Sequence, residues 1–221
     1  MNENRKYSRQ LDLITPKELN VPILIIGAGG IGSWAALALT KMGCTNITVI
    51  DHDVVDIENT PSQLYSDVGT YKVEALKKEI LDKTGVLIHG IRSTFQSWVI
   101  TQKPTAYEIV IFAVDSLLQR KEILTYMLSQ QIYTKFLIDA RMAGELIRIL
   151  TVDTLKKEEF IEYAKTLDIN KPAHEEPCTS KAVVYNTFLC GGLIASLVKK
   201  FVKKEIIKSN IIFDITNLQI F

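Results

Sequence analysis

At 221 residues and 47% hydrophobic side chains, the chain is long enough to bury one sizeable core and short for two, so residues 1–221 read as one folding unit with an N-terminal arm over 1–20. A formal net charge of +1 gives no electrostatic case for nucleic acid or an anionic membrane, and no stretch reaches the roughly 18 uninterrupted apolar residues of a membrane span. Three cysteines without a C-x-x-C pair make no disulfide framework, and MNENRKYSRQ lacks the apolar core of a secretion signal; the expectation is a reducing cytoplasm.

Ile23–Ile26 is a short apolar run that reads as a buried strand, within a candidate at 22–26. Gly27, Gly29 and Gly32 follow as G-x-G-x-x-G, with Gly30 inside the motif, and 31–42 has a helical apolar pattern. Such a loop lets backbone approach a phosphate at the positive end of the next helix. Asp51 ends the following strand, 46–51, at about the spacing where an acidic side chain takes a ribose hydroxyl. Further strand candidates at 86–91, 108–114 and 135–139 alternate with helices at 70–82 and 116–130. This alternation predicts an α/β fold, a Rossmann-like doubly wound, mostly parallel sheet. Residues 144–152 add a strand near an edge, 155–166 an amphipathic helix, and 168–177, polar with two prolines, a loop; 153–177 is a crossover-type region. A long apolar helix spans 179–203, interrupted by Gly191 and Gly192, with Lys199, Lys200, Lys203 and Lys204 as its solvated face. The β-branched and aromatic tail IIFDITNLQIF closes the fold as one or two strands, antiparallel like the others toward the C-terminus.

Several polar residues exceed what a dinucleotide-binding unit needs. Asp53, Asn59, Gln63 and Lys72 fall within one crossover, and a triphosphate requires a fixed cation and groups that hold ribose and phosphates in register. Lys72 opens a helix, where the dipole disfavours a lysine, which suits a ligand-facing role. Asp115 ends the apolar strand EIVIFAVD and can hold Mg²⁺ in the ligand crevice or cap the next helix; Arg120 follows five residues later. An NAD-dependent dehydrogenase accounts for the glycine loop and Asp51 only. His52, His89 and His174 are scattered and make no metal site, and Trp34 and Trp98 read as packing residues. Asp139 and Arg141 touch substrate or pair with each other at a strand end.

The order YSRQ, GAGGIG, DHD, ENTPSQ, DVGTYK and strand-Asp with Arg120 resembles the ThiF/MoeB family, adenylyltransferases related to ubiquitin-activating enzymes, over about residues 7–205. The resemblance implies ATP and Mg²⁺ as cofactors and adenylation of the C-terminal carboxylate of a small ubiquitin-like or sulfur-carrier protein by a homodimer. It implies that Gly27, Gly29 and Gly32 approach the phosphates and Asp51 binds ribose. Asn59, Gln63 and Lys72 contact ribose or phosphates, Asp115 binds Mg²⁺, and Arg9 is an arginine finger from the neighbouring subunit. Arg120 supports the Asp115 region. Two departures stand out. Ser62 occupies the position of a family arginine, and the two C-x-x-C pairs of a structural zinc are absent, so no zinc is expected.

Cys178 follows the polar loop and opens the long helix, where the dipole favours a thiolate. It resembles the cysteine that receives the activated carrier in several members, with Lys181 one turn on; an inert capping-region cysteine is the other reading. Cys44 and Cys190 read as core residues. Adenylation of a peptide or small carboxylate, or a nucleotide-binding scaffold without turnover, are the alternative functions.

Overall fold

The computed structural model describes residues 3–102, 106–168 and 183–221. Its elements are α1 (Glu3–Lys6), β1 (Ile23–Ile26), α2 (Gly30–Met42), β2 (Ile47–Ile50), a 3-10 turn (Ile57–Asn59), α3 (Lys72–Thr84), β3 (His89–Ile91), α4 (Phe95–Gln102), β4 (Ile109–Phe112) and α5 (Leu117–Ser129). β5 (Phe136–Ala143), β6 (Leu146–Asp153), α6 (Lys157–Lys165), α7 (Val184–Val202), β7 (Asn210–Asp214) and β8 (Gln219–Ile220) complete it.

One sheet runs in the order β3-β2-β1-β4-β5-β6-β7-β8. The first five strands are parallel and the remaining pairings antiparallel, the mostly parallel, doubly wound arrangement expected from the alternation. β1, β2 and β4 are buried at every residue, which is why they read as unbroken apolar runs, with Thr48 the one polar member, rather than alternating ones. Ile23 and Ile25 face a core built with α2, α3 and α7, while Leu24 and Ile26 face a second with α4, α5 and α6. Fully burying each such side chain contributes about 1.5–3 kcal/mol.

The arm, described from residue 3 to residue 20, packs onto the sheet domain. Tyr7, Ile14 and Leu19 are buried, and the Gln10 amide donates to the Met42 carbonyl at 2.6 Å. The glycine interruption in the long helix is a contact point: a Cβ on Gly191 would lie 2.8 Å from the Trp34 backbone, so α2 and α7 close to a distance no side chain permits.

Two elements depart from the sequence reading. α4 is not among the expected helices, although the Thr94 hydroxyl accepts the Ser97 amide at 3.2 Å in a cap that RSTFQS encodes. β5 runs four residues beyond the expected end at 139 and forms a hairpin with β6.

Candidate active site

The strand order reverses between β1 and β4, where open parallel sheets bind ligands beyond their carboxyl ends. A cleft of about 790 Å³ opens there. Of the residues singled out in the sequence, Gly27, Gly29, Gly30, Asp51, Asp53, Asn59, Gln63, Lys72 and Asp115 line it.

The glycine loop is held by short-range geometry. Gly27 has φ +101°, and a Cβ there would sit 2.6 Å from the Ala113 carbonyl oxygen. A Cβ on Gly32 would lie 1.9 Å from the Gly27 carbonyl oxygen. Gly32 is buried, and the absence of a side chain there lets α2 pack against its own loop. Space beside Gly29 is open, with nothing within 4 Å of the position a Cβ there would take, and the α2 amides begin at this point.

Asp51 ties this loop to β2. One carboxylate oxygen accepts the Ala28 amide at 2.7 Å and the other the Asp53 amide at 2.8 Å. Tyr65, buried, donates its hydroxyl to the Ala28 carbonyl; burial, with Asp51 and Asp53 nearby, pushes its ionisation far above the usual phenol range and keeps it a neutral donor. Lys72 is 9% exposed and pairs with Asp53 at 2.8 Å, while its amide donates to the Asp53 carbonyl at 2.9 Å. The pairing explains how a lysine is tolerated at the first position of α3.

Asn59 gives its side-chain oxygen to the Asp56 amide in a capping box, leaving its NH₂ group as the donor available to the cleft. Gln63 is 9% exposed and its Oε1 has no partner among the described residues. Ser62 reaches the cleft rim, and its carbonyl accepts the Trp34 indole N–H at 2.9 Å. Trp34 in turn packs against Phe188, with ring centroids 3.9 Å apart, so this packing residue also fixes a cleft wall.

Asp115 is exposed at the end of β4, but the helix cap is Ser116, whose hydroxyl accepts the Gln119 amide at 3.4 Å. The capping role allowed for Asp115 is therefore corrected, and Asp115 lines the cleft. Asp139 and Arg141, by contrast, do not reach it. Asp139 is fully buried, and Arg141 pairs with it at 2.7 Å, which decides for the ion-pair reading. Arg120 is also buried against Asp139, at 3.2 Å. Arg9 is exposed and outside the cleft lining of its own chain. Cys178 and Lys181 lie outside the described residues. Cys44 and Cys190 are buried, and burial pushes both thiols up to about 12.

Sequence reasoning missed Glu58, Ser93, Thr94, Gln96, Gln119 and Glu122, which complete the walls. With them the cleft carries five carboxylates, Asp51, Asp53, Glu58, Asp115 and Glu122, against Lys72, which Asp53 already neutralises. A polyphosphate enters such a surface only with cations, and exposed carboxylate oxygens suit a hard divalent ion. His52 is less isolated than expected: its donor atom lies within 4.8 Å of those of Asp51 and Asp53. Asp51 is engaged by two amides and Asp53 by Lys72, while Asp115 lines the cleft beyond the carboxyl end of β4.

The ThiF family model matches residues 7–220. The chain belongs to the ThiF family. The adenylyltransferase and sulfurtransferase MOCS3 of Dictyostelium discoideum is 33% identical over 131 residues, which are 54% of this chain and 30% of that protein. The tRNA threonylcarbamoyladenosine dehydratase of Escherichia coli K12 is 33% identical over 113 residues, 47% of this chain and 41% of that protein. The chain thus spans about a third of the length of the MOCS3 relative it matches. Among solved structures, E. coli MccB with ATP superposes with a TM-score of 0.74 at 20% identity, covering 100% of this chain and 70% of that one. E. coli TcdA, the tRNA dehydratase, gives 0.67 at 22% identity over 91% and 95%. These likenesses establish the Rossmann-like fold of the ThiF-family member. No helix among the described residues is long and apolar enough to cross a membrane.

Proposed function

We propose that this ThiF-family chain is an ATP-dependent adenylyltransferase that activates the C-terminal carboxylate of a small ubiquitin-like or sulfur-carrier protein. The observation that carries the reading is the convergence on one cleft of a glycine loop at a helix N-terminus, the buried Lys72 and the exposed Asp115. Open space at Gly29 and the first amides of α2 receive phosphate oxygens. Asp51 stands at the end of β2, where a ribose hydroxyl is taken, and the Asn59 amide and Gln63 serve ribose or phosphates.

A substrate carboxylate oxygen attacks the α-phosphorus, the bond to the bridging oxygen breaks, and pyrophosphate leaves with the electron pair. Lys72 exchanges part of its interaction with Asp53 for the phosphates, so that its charge counters the charge building on the leaving group. Asp115 would hold Mg²⁺, which when bound would supply Lewis-acid stabilisation of the phosphate oxygens. Ser62 contributes no charge at the rim, which makes a cation from elsewhere more important. The proposed source is Arg9 of a neighbouring copy in a homodimer. Exposed Val184, Tyr185, Phe188 and Leu189 form an apolar face on α7 beside the Gly30 rim, where such a copy would sit.

ATP–pyrophosphate exchange tests the reading, with a β-grasp carrier ending in Gly-Gly, a peptide and a small carboxylate as alternative acceptors. Exchange with the carrier is expected. Exchange with a peptide or small acid alone moves the substrate class, and nucleotide binding without exchange with any acceptor favours a scaffold. Mixing Arg9→Ala and Lys72→Ala chains should restore activity if sites are shared across a dimer.

A further inference from the structure

Asp139 is the hub of a buried ionic cluster that the cleft chemistry leaves unused. Its side chain has 0% exposure, that of Arg120 3% and that of Arg141 8%. Arg141 binds Asp139 Oδ2 through Nε at 2.9 Å and Nη2 at 2.7 Å. Tyr163 of α6, also buried, donates its hydroxyl to the same oxygen at 3.0 Å. Burial, reinforced by the Asp139 charge, raises the Tyr163 ionisation well above the usual phenol range, so it remains a donor. Arg141 Nη2 also reaches the Thr166 hydroxyl, at the C-terminal cap of α6, at 3.0 Å.

The other arm of the cluster is Arg120, in the first turn of α5. Its Nε lies 3.2 Å from Asp139 Oδ1, and its Nη2 donates to the Ala140 carbonyl at 2.9 Å. The last register pair between β4 and β5 is Phe112 with Asp139, so Ala140 lies one residue past the point where β4 turns away toward α5. Arg120 therefore bridges the gap that opens where the two strands part. Its Nη1 and Asp139 Oδ1 are both buried without a hydrogen-bond partner among the described residues, so this arm of the cluster is less fully satisfied than the Arg141–Tyr163 arm. The helix it anchors begins immediately after the Asp115–Ser116 pair and carries Gln119 and Glu122 along the cleft wall.

The geometry points to Asp139 as a positioning residue for the cleft. Through Arg120 it sets the first turn of α5, and with it Asp115. Through Tyr163 and Arg141 it makes that setting depend on α6 being docked. The functional half of this inference rests on the adenylation reading; the mechanical half does not.

Asp139→Asn leaves two buried guanidinium groups facing a neutral amide and endangers the fold. The deciding variant is Tyr163→Phe, which removes one hydroxyl and keeps every ion pair. Hydrogen–deuterium exchange of the ligand-free protein should show faster exchange at 163–167 and also at 117–121, roughly tenfold, the equilibrium effect of one hydrogen bond to a charged group. The Mg²⁺ concentration that half-saturates ATP binding should rise by a similar factor, while kcat at saturating Mg²⁺ is retained. Faster exchange confined to α6, with 117–121 unchanged, overturns the proposal. So does a lowered melting temperature with an unaltered Mg²⁺ dependence in a protein that binds ATP. If the wild-type chain binds no ATP, the adenylation reading falls, and the exchange pattern, which needs no ligand, still decides whether Asp139 positions α5.

Discussion

Asp115→Asn separates metal chemistry from helix capping. The side chain is exposed, and the α5 cap belongs to Ser116, which accepts the Gln119 amide. Losing the Asp115 charge thus removes no cap, and the loss of a favourable position near the helix N-terminus costs about 0.5 kcal/mol. For a chain of this length that is a melting shift of roughly 1–2 °C. If Asp115 is the main Mg²⁺ anchor, the same change should slow ATP–pyrophosphate exchange by roughly 10²-fold, about 2.7 kcal/mol of transition-state stabilisation. Ser116→Ala should behave in the opposite way, losing about 1 kcal/mol of stability with exchange per folded molecule unaltered. Thermal denaturation and exchange kinetics on the two variants give the comparison. A large melting drop in Asp115→Asn with an unchanged specific rate would refute the metal role and make the carboxylate a loop-holding group.

Gly32→Ala should destabilise the chain by about 3 kcal/mol or more in thermal denaturation, because its methyl would sit 1.9 Å from a backbone oxygen that cannot move without the loop. Gly29→Ala, with open space around it, should leave the melting temperature nearly unchanged and weaken ATP binding in calorimetry, since the methyl occupies the space assigned to phosphate. Burial pushes the Cys44 and Cys190 thiols up to about 12, so both are protonated near neutral pH and iodoacetamide should modify neither until the protein unfolds. Cys178 should label first in mass spectrometry, and Cys178→Ser should keep pyrophosphate exchange while losing any hydroxylamine-sensitive adduct with the carrier. Slower labelling of Cys178 than of both buried thiols removes it as a transfer group.

Much of the fold is legible in the sequence because its central strands are buried on both faces. Ile23–Ile26 and the IVIF core of the EIVIFAVD strand have no polar residue to hide until they reach the cleft, and the glycine pattern fixes the turn between strand and helix. β5 reads too short for the converse reason. Asp139 and Arg141 look like a strand end, yet they neutralise each other inside the core and the strand continues through them. Asp53 and Lys72 are visible as site candidates, while their pairing across one crossover is not. Neither is the work of Tyr65 and Trp34, whose partners are backbone carbonyls of Ala28 and Ser62, atoms every residue carries and no side-chain pattern reveals. Asp115 and Ser116 are adjacent polar residues at a helix start, and only the folded chain shows that Ser116 is the cap.

The cleft is proposed as a site for ATP with Mg²⁺. Its anionic lining makes this testable before any acceptor is known: calorimetric titration of the wild-type chain with ATP in the presence of Mg²⁺, with ATP in EDTA, and with NAD. Binding of ATP with Mg²⁺, lost or strongly weakened in EDTA and tighter than that of NAD, is the predicted result. Tighter binding of NAD, or ATP binding indifferent to the metal, would exclude an ATP–Mg²⁺ site in the cleft.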